Sequence, residues 1–175
     1  KTVIRLDYKV NGLNNITSKN VIYACQHQSA WDTIIIPYLI GDCIIFHKRS
    51  LLFIPLFGWH LFKLGMVIIT RNKGANNLKR IINKTRKAIS NNRSILIFPH
   101  GTRTLPNSKN KIQSGIVVLY KHLNIKVVPI KLNSGEYWGR NKFLKYPGKI
   151  TVNFLKPILP GLNPGEFRKK LEKIL

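Results

Sequence analysis

Short runs of apolar residues recur along the chain, at 3–10, 21–26, 43–47, 66–69, 94–98, 126–131 and 150–155. Most are near-continuous rather than alternating, which is the pattern of strands covered on both faces. Between them the periodicity turns helical. It is clearest over Ala75–Ser90, where Leu78, Ile81, Ile82, Thr85 and Ile89 share one face and basic residues the other. Residues 166–175 read as a helix that can continue past the last residue. Strands alternating with helices predict an α/β fold, a single-domain mixed sheet flanked by helices over residues 1–175.

Two segments break the pattern. Residues 51–62 are apolar nearly all round yet too short to cross a bilayer. They fit a core helix broken by Pro55, or an interfacial element with Trp59 inside it and Lys48, Arg49 and Lys63 beside it. In Val127-Val-Pro-Ile-Lys-Leu132 the internal proline predicts an edge strand or a deliberate break in pairing.

With 175 residues, 44% of them hydrophobic, the chain can close one core. The formal net charge of +24 favours anionic partners, namely nucleic acid, lipid head groups or phosphorylated substrates, without choosing among them. Abundant Ile, Lys and Asn also fit an AT-rich coding bias. Cys25 and Cys43 sit in apolar runs, too few for a disulfide framework, and fit a reducing compartment. The histidines do not cluster with carboxylates or cysteines, so no metal is expected. No apolar run reaches the roughly 18–20 residues of a membrane span. The chain starts at Lys1, so an upstream hydrophobic segment and a downstream extension both stay open.

Candidate chemistry begins at His27-Gln-Ser-Ala-Trp-Asp32, where a strand gives way to a helix beginning near Ala30. A neutral imidazole can take a proton from an alcohol, and a carboxylate on its other nitrogen fixes the tautomer. This is the base-and-orienter half of a hydrolase triad without its serine. Gly65-Met-Val-Ile-Ile-Thr-Arg71 delivers an arginine at a strand end, and Phe98-Pro-His-Gly-Thr-Arg-Thr104 delivers a second after a glycine turn. Guanidinium forks and free backbone N–H groups suit a phosphate. No Gly-x-Ser-x-Gly elbow is present, which leaves Ser29 and Cys25 without a nucleophile's role. Aromatic and basic residues do not interleave as a base-stacking platform would require, so nucleic acid is not expected as a partner.

Taken in order, these blocks resemble the glycerophospholipid acyltransferase family, most closely its 1-acyl-sn-glycerol-3-phosphate (lysophosphatidic acid) acyltransferases. Asn-His-x-Ser-x-x-Asp appears as Gln26-His27-Gln28-Ser29-Ala30-Trp31-Asp32. Gly-x-x-Phe-Ile-Asp-Arg appears with Ile68 and Thr70 replacing the aromatic and the acid. Phe-Pro-Glu-Gly-Thr-Arg-Ser appears with His100 in place of the glutamate, and Val-x-Pro-Val spans Val127 and Ile130. Val10-Asn-Gly-Leu-Asn-Asn15 and Lys48-Arg-Ser-Leu-Leu52 through Pro55-Leu-Phe-Gly58 are similar to linking stretches of the family.

The resemblance implies a glycerol-3-phosphate acyltransferase-like fold and transfer of a fatty acyl group from acyl-CoA or acyl-carrier protein to the sn-2 hydroxyl of lysophosphatidic acid. In that reading His27 and Asp32 are catalytic, and Arg71, Arg103 and Lys48 hold the acceptor phosphate. His100, Gly101 and Thr102 support the acceptor site, and backbone N–H groups around Gly101 or Gly115 are candidate oxyanion donors that the sequence does not place. The acyl donor is a co-substrate, and no cofactor is implied. The expected setting is a membrane surface, the cytoplasmic face of the inner membrane in a bacterium. Other lysophospholipids or glycerol 3-phosphate are alternative acceptors. A non-catalytic basic module binding membrane or nucleic acid is the alternative from a different class.

Overall fold

The near-continuous apolar runs pair mostly in parallel, as strands buried on both faces do. The computed structural model describes residues 5–17, 19–69, 75–106, 108 and 110–175. In chain order the elements are β1 (Leu6–Asn11), β2 (Ile22–Cys25), α1 (Asp32–Ile40), β3 (Cys43–Lys48), α2 (Phe57–Lys63), β4 (Val67–Ile69) and α3 (Ala75–Ser90). They continue as β5 (Ser94–Ile97), α4 (Ser114–Leu123), β6 (Val127–Leu132), α5 (Ser134–Tyr137), β7 (Gly148–Phe154) and α6 (Pro164–Ile174). The strands form one mixed sheet in the order β1-β7-β6-β2-β5-β3-β4. β2 to β6 are mutually parallel, whereas β7 runs antiparallel to β6 and parallel to β1.

Alternation along the strands splits the core into two layers. Ile22, Ala24, Ile95 and Ile97 pack on one face against Ile116 and Leu119 of α4 and Phe167 and Leu171 of α6. Tyr23, Cys25 and Leu96 pack on the other against Trp31 and against Ile36 and Ile40 of α1. The start of α6 follows from its sequence. The Asn163 side chain caps the Glu166 N–H at 2.9 Å and Pro164 occupies the first turn, where its missing N–H costs nothing.

The chain leaves β2 through α1 toward β3, on one side of β5. It leaves β5 through α4 toward β6, on the other side of β2 and over the opposite face. A crevice therefore opens between the C-terminal ends of β2 and β5, the topological switch point where open α/β sheets bind ligands.

Several expectations are refined. The first strand begins at Leu6, residues 3 and 4 lying outside the described residues, and α1 begins at Asp32 rather than near Ala30. β6 is not an edge strand. Pro129 instead marks the break in pairing: between the Ile130–Phe154 and Val127–Ile158 pairs, β6 spends two residues and its partner three. That is a bulge, and the proline sits where the ladder needs no N–H from it, while its carbonyl accepts from Leu155 N at 2.9 Å.

The core-helix reading of residues 51–62 also fails. They form a 3-10 turn (Arg49–Phe53) and α2, and of the described side chains only Gly58 and Leu61 are buried. Gly58 is needed there because a Cβ would fall 2.1 Å from the Leu52 carbonyl oxygen.

The lead-in stretch acquires a structural task. Asn15 Nδ2 donates to the Phe154 carbonyl at 2.9 Å and Asn11 Nδ2 to Asn153 Oδ1 at 2.7 Å, fastening β1 to β7. Gly12, at φ 73°, lets the backbone pass so close that a Cβ would sit 2.1 Å from the Phe154 oxygen. Gly12→Ala is therefore expected to destabilise the protein by about 2–4 kcal/mol, from overpacking and a left-handed backbone together. Urea unfolding would show this as a lower midpoint at unchanged slope.

Candidate active site

At the end of β2 the chain turns back so that the first residue of α1 meets the residues just before it. Asp32 Oδ2 accepts from Gln28 N at 2.7 Å and Ser29 N at 2.8 Å, and lies 3.1 Å from His27 Nδ1. Asp32 is fully buried and the His27 side chain is 14% exposed. A carboxylate at a helix N-terminus is favoured by the dipole as well as by these donors. With Nδ1–H donating to Asp32, the lone pair of His27 is on Nε2.

His27 is held from two further sides. Its ring stacks on Phe98, centroids 4.2 Å apart, and its carbonyl accepts from Thr104 N at 2.7 Å and Thr104 Oγ1 at 3.3 Å. The block after β5 therefore positions the imidazole as well as carrying an arginine. Gln28 Oε1 accepts from Gly135 N at 3.0 Å, tying the turn to the start of α5. Phe98, Thr104 and Gln28 were within the matched blocks, but nothing in the sequence distinguished a positioning role for them. The contacts of Phe98 and Thr104 follow from the β2–β5 pairing, and that of Gln28 from the β2–β6 pairing.

The candidate nucleophiles are committed elsewhere. Ser29 Oγ accepts from Trp31 N at 3.1 Å. Cys25 is wholly buried, and burial, then the charge of Asp32, pushes its thiol well above the usual range. An unionised thiol is a poor nucleophile.

The proposed anion ligands distribute unevenly. Arg103 is half-buried in the turn after β5, and its guanidinium makes no hydrogen bond or ion pair with the described residues. Lys48 closes β3 at the same sheet edge, but its side chain, like the whole of Arg71, lies outside the described residues. Gly101, at φ 69°, spends its N–H on the Phe98 carbonyl at 3.0 Å, which removes that group as an oxyanion donor. Gly115 lies in the first turn of α4, where N–H groups have no partner inside the helix. Thr102 is exposed.

His100 does not join His27. It lines a neighbouring cavity of about 660 Å³ with Gln26, Gln28, Thr104, Asn133 and Glu172. Burial lowers its pKa from 6.5, against the opposing pull of the Asn110 backbone and Glu172, and so disfavours the added positive charge. His47, on the strand beyond β5, is similarly lowered by burial. His47 Nε2 and His100 Nδ1 are buried without a partner among the described residues. Also among these residues, no three His, Cys, Asp or Glu side chains converge as a metal site.

The fold is thus a seven-stranded mixed α/β sheet that carries a His–Asp pair at its switch point. The chain belongs to the Acyltransferase family, whose profile matches residues 7–133. It is 33% identical over 152 residues to the 1-acyl-sn-glycerol-3-phosphate acyltransferase of Pseudomonas aeruginosa, an alignment covering 87% of this chain and 59% of that protein. It is 26% identical over 179 residues to the enzyme of the same name from Saccharomyces cerevisiae, with 98% and 59% covered. The chain thus spans about 59% of the length of these relatives. The crystal structure of the 1-acyl-sn-glycerophosphate (LPA) acyltransferase PlsC from Thermotoga maritima shares the fold, with TM-score 0.77 and 21% identity over 98% of this chain and 70% of that one.

The two buried imidazoles fix a pH response. Because their folded pKa values lie below 6.5, the unfolded chain binds more protons between those values and 6.5. Stability is then full above pH 6.5 and falls as the pH drops through that window. Chemical denaturation from pH 7.5 to 5 should show this decline, and His47→Gln/His100→Gln should flatten it relative to the parent.

Proposed function

We propose that the protein transfers a fatty acyl group from an acyl thioester, acyl-CoA or acyl-carrier protein, to the sn-2 hydroxyl of lysophosphatidic acid, forming phosphatidic acid. The observation that carries this reading is the His27–Asp32 pair, 3.1 Å apart and held by two backbone N–H groups, at a sheet edge that also presents Arg103. The names of the relatives supply the acceptor.

The chemistry follows from the groups present. His27 Nε2 takes the proton of the lipid hydroxyl as its oxygen attacks the thioester carbonyl, and Asp32 stabilises the imidazolium that forms. The tetrahedral intermediate collapses with loss of the C–S bond. The proton passes from His27 to the departing thiolate, so ester and thiol are the products and no acyl-enzyme intervenes. Arg103, with Arg71 and Lys48, holds the acceptor phosphate and so fixes the hydroxyl near His27. Thr102, beside Arg103, belongs to the same turn. His100 offers a neutral hydrogen-bonding group where the family has an anion.

Both substrates are amphiphiles or carry an amphiphile, and the reading includes work at a membrane surface, on the cytoplasmic side if the source is a bacterium. Among the described residues no helix is long and apolar enough to cross a membrane. The segment Arg49–Lys63 suits a lipid interface: Phe53, Leu56, Trp59 and Phe62 are exposed, and Lys63 Nζ stands 4.0 Å above the Trp59 ring.

The test is to supply lysophosphatidic acid with acyl-CoA and acyl-carrier-protein donors and follow phosphatidic acid by mass spectrometry. His27→Ala should lower kcat by about 10²- to 10⁴-fold in a folded protein. Asp32→Asn should act in the same direction. A basic binding module would be indifferent to both changes. If other lysophospholipids or glycerol 3-phosphate are acylated instead, the acceptor assignment fails while the chemistry stands. His100→Glu measures the departure from the family motif: an acceptor KM unchanged at every pH would show that His100 takes no part in acceptor binding.

A further inference from the structure

A long excursion separates β6 from β7, and it starts and ends at the edge that carries His27. Its base is closed by Tyr146 N donating to the Tyr137 carbonyl at 2.9 Å. Inside, the Lys145 ammonium bonds the carbonyls of Lys142 and Phe143 and lies 5.4 Å over the Trp138 ring, while Asn141 takes a left-handed backbone at φ 57°. The ammonium draws those carbonyls inward, and the tip residues are turned out. Phe143 is 97% exposed and Leu144 66%.

Exposing such side chains to water is unfavourable, and paired at a loop tip they mark an interaction site. Their surroundings select the partner. Arg140, Lys142, Lys145 and Lys149 accompany them, and no carboxylate occurs between Glu136 and Glu166. Apolar tip and cationic collar together match the acyl chains and anionic head groups of a bilayer. Arg140 Nη1 also donates to the Arg103 carbonyl at 3.2 Å, which places this loop beside the proposed phosphate-binding turn.

We propose that the Tyr137-to-Tyr146 loop is a lipid-inserting prong that docks on an anionic phospholipid bilayer. With Arg49–Lys63, which leaves the sheet at the end of β3, it brackets the catalytic crevice: β6 and β3 lie on opposite sides of the β2–β5 pair. The inference rests on the acyl-transfer reading only in taking the substrate to be a lipid, and its test needs no turnover.

Sedimentation with vesicles of phosphatidylglycerol and phosphatidylcholine, without substrate, is the measurement. Phe143→Ser/Leu144→Ser should weaken binding by about tenfold or more, since each side chain then loses its apolar burial. Vesicles of phosphatidylcholine alone should bind the parent protein much more weakly, because the cationic collar has nothing to neutralise. A separate Phe143→Trp variant should add emission that is quenched by lipids brominated on their acyl chains. Unchanged vesicle binding in the double variant, or unquenched added emission, overturns the proposal. So does weakening confined to Phe53→Ser/Phe62→Ser. Should the double variant instead turn a lipid-free dimer into a monomer by ultracentrifugation, the loop is a protein interface and the proposal fails. Circular dichroism of each variant checks that the fold is kept.

Discussion

Burying the Asp32 carboxylate demands that its charge be met by donors, and the turn between β2 and α1 is shaped by that demand. One oxygen collects two backbone N–H groups and the His27 imidazole, an arrangement open only to a chain that folds back on itself just before a helix begins. Removing any partner would leave a buried anion short of compensation, the costly half of the asymmetry that governs buried charges. The same turn then spreads its constraints outward. Ser29 stops the Trp31 N–H, Trp31 meets Tyr8 of β1 edge-on at 5.8 Å, and Gln28 reaches Gly135. The His27–Asp32 turn is therefore tied to β1 near the start of the chain and to α5 just after β6.

That wiring also sets what the neighbours can do. Burial first, and then the Asp32 charge, push the Cys25 thiol well above its usual range, which keeps it un-ionised. Stacking on Phe98 confines the imidazole to one plane, and the Thr104 contacts hold its backbone from across the crevice. Orientation of the His27 imidazole is thus shared between the segments after β2 and after β5. Both are brought together only because those strands are adjacent in the sheet though distant in the chain.

Much of this was legible beforehand. Continuous apolar runs marked the parallel strands, and the helical period of Ala75–Ser90 marked α3, because each pattern is produced directly by burial. That His27 and Asp32 come together was legible from their spacing and their companion blocks. Strand order was not, since no local pattern says that β5 inserts between β2 and β3. Pro129 pointed to an edge because a missing N–H is usually tolerated there; a bulge in β7's continuation tolerates it equally well in mid-sheet. His100 and Gly101 stood in a matched block, yet one turns into a neighbouring cavity and the other spends its N–H in closing the turn. Phe143 and Leu144 gave no signal at all. An apolar pair without periodicity reads the same whether it ends in a core or at a loop tip.

Topology explains why the amphiphilic segments and the His27–Asp32 pair share one edge. Every connection that leaves a parallel strand must leave from its C-terminal end, and the five parallel strands present those ends together. The loops after β2 and β5 carry His27 and Arg103, and the connections after β3 and β6 carry exposed aromatic and cationic residues. The last strand pair contributes by running the other way: β7 returns from the edge that carries His27, so the excursion preceding it is anchored there at both ends. Under the proposed function, a lipid hydroxyl delivered from an interface would then meet His27 without a long path through the protein, with its phosphate still at the level of the charged collar. Placing reactive and amphiphilic residues on connections of the same polarity achieves this with no special scaffold beyond the parallel sheet itself.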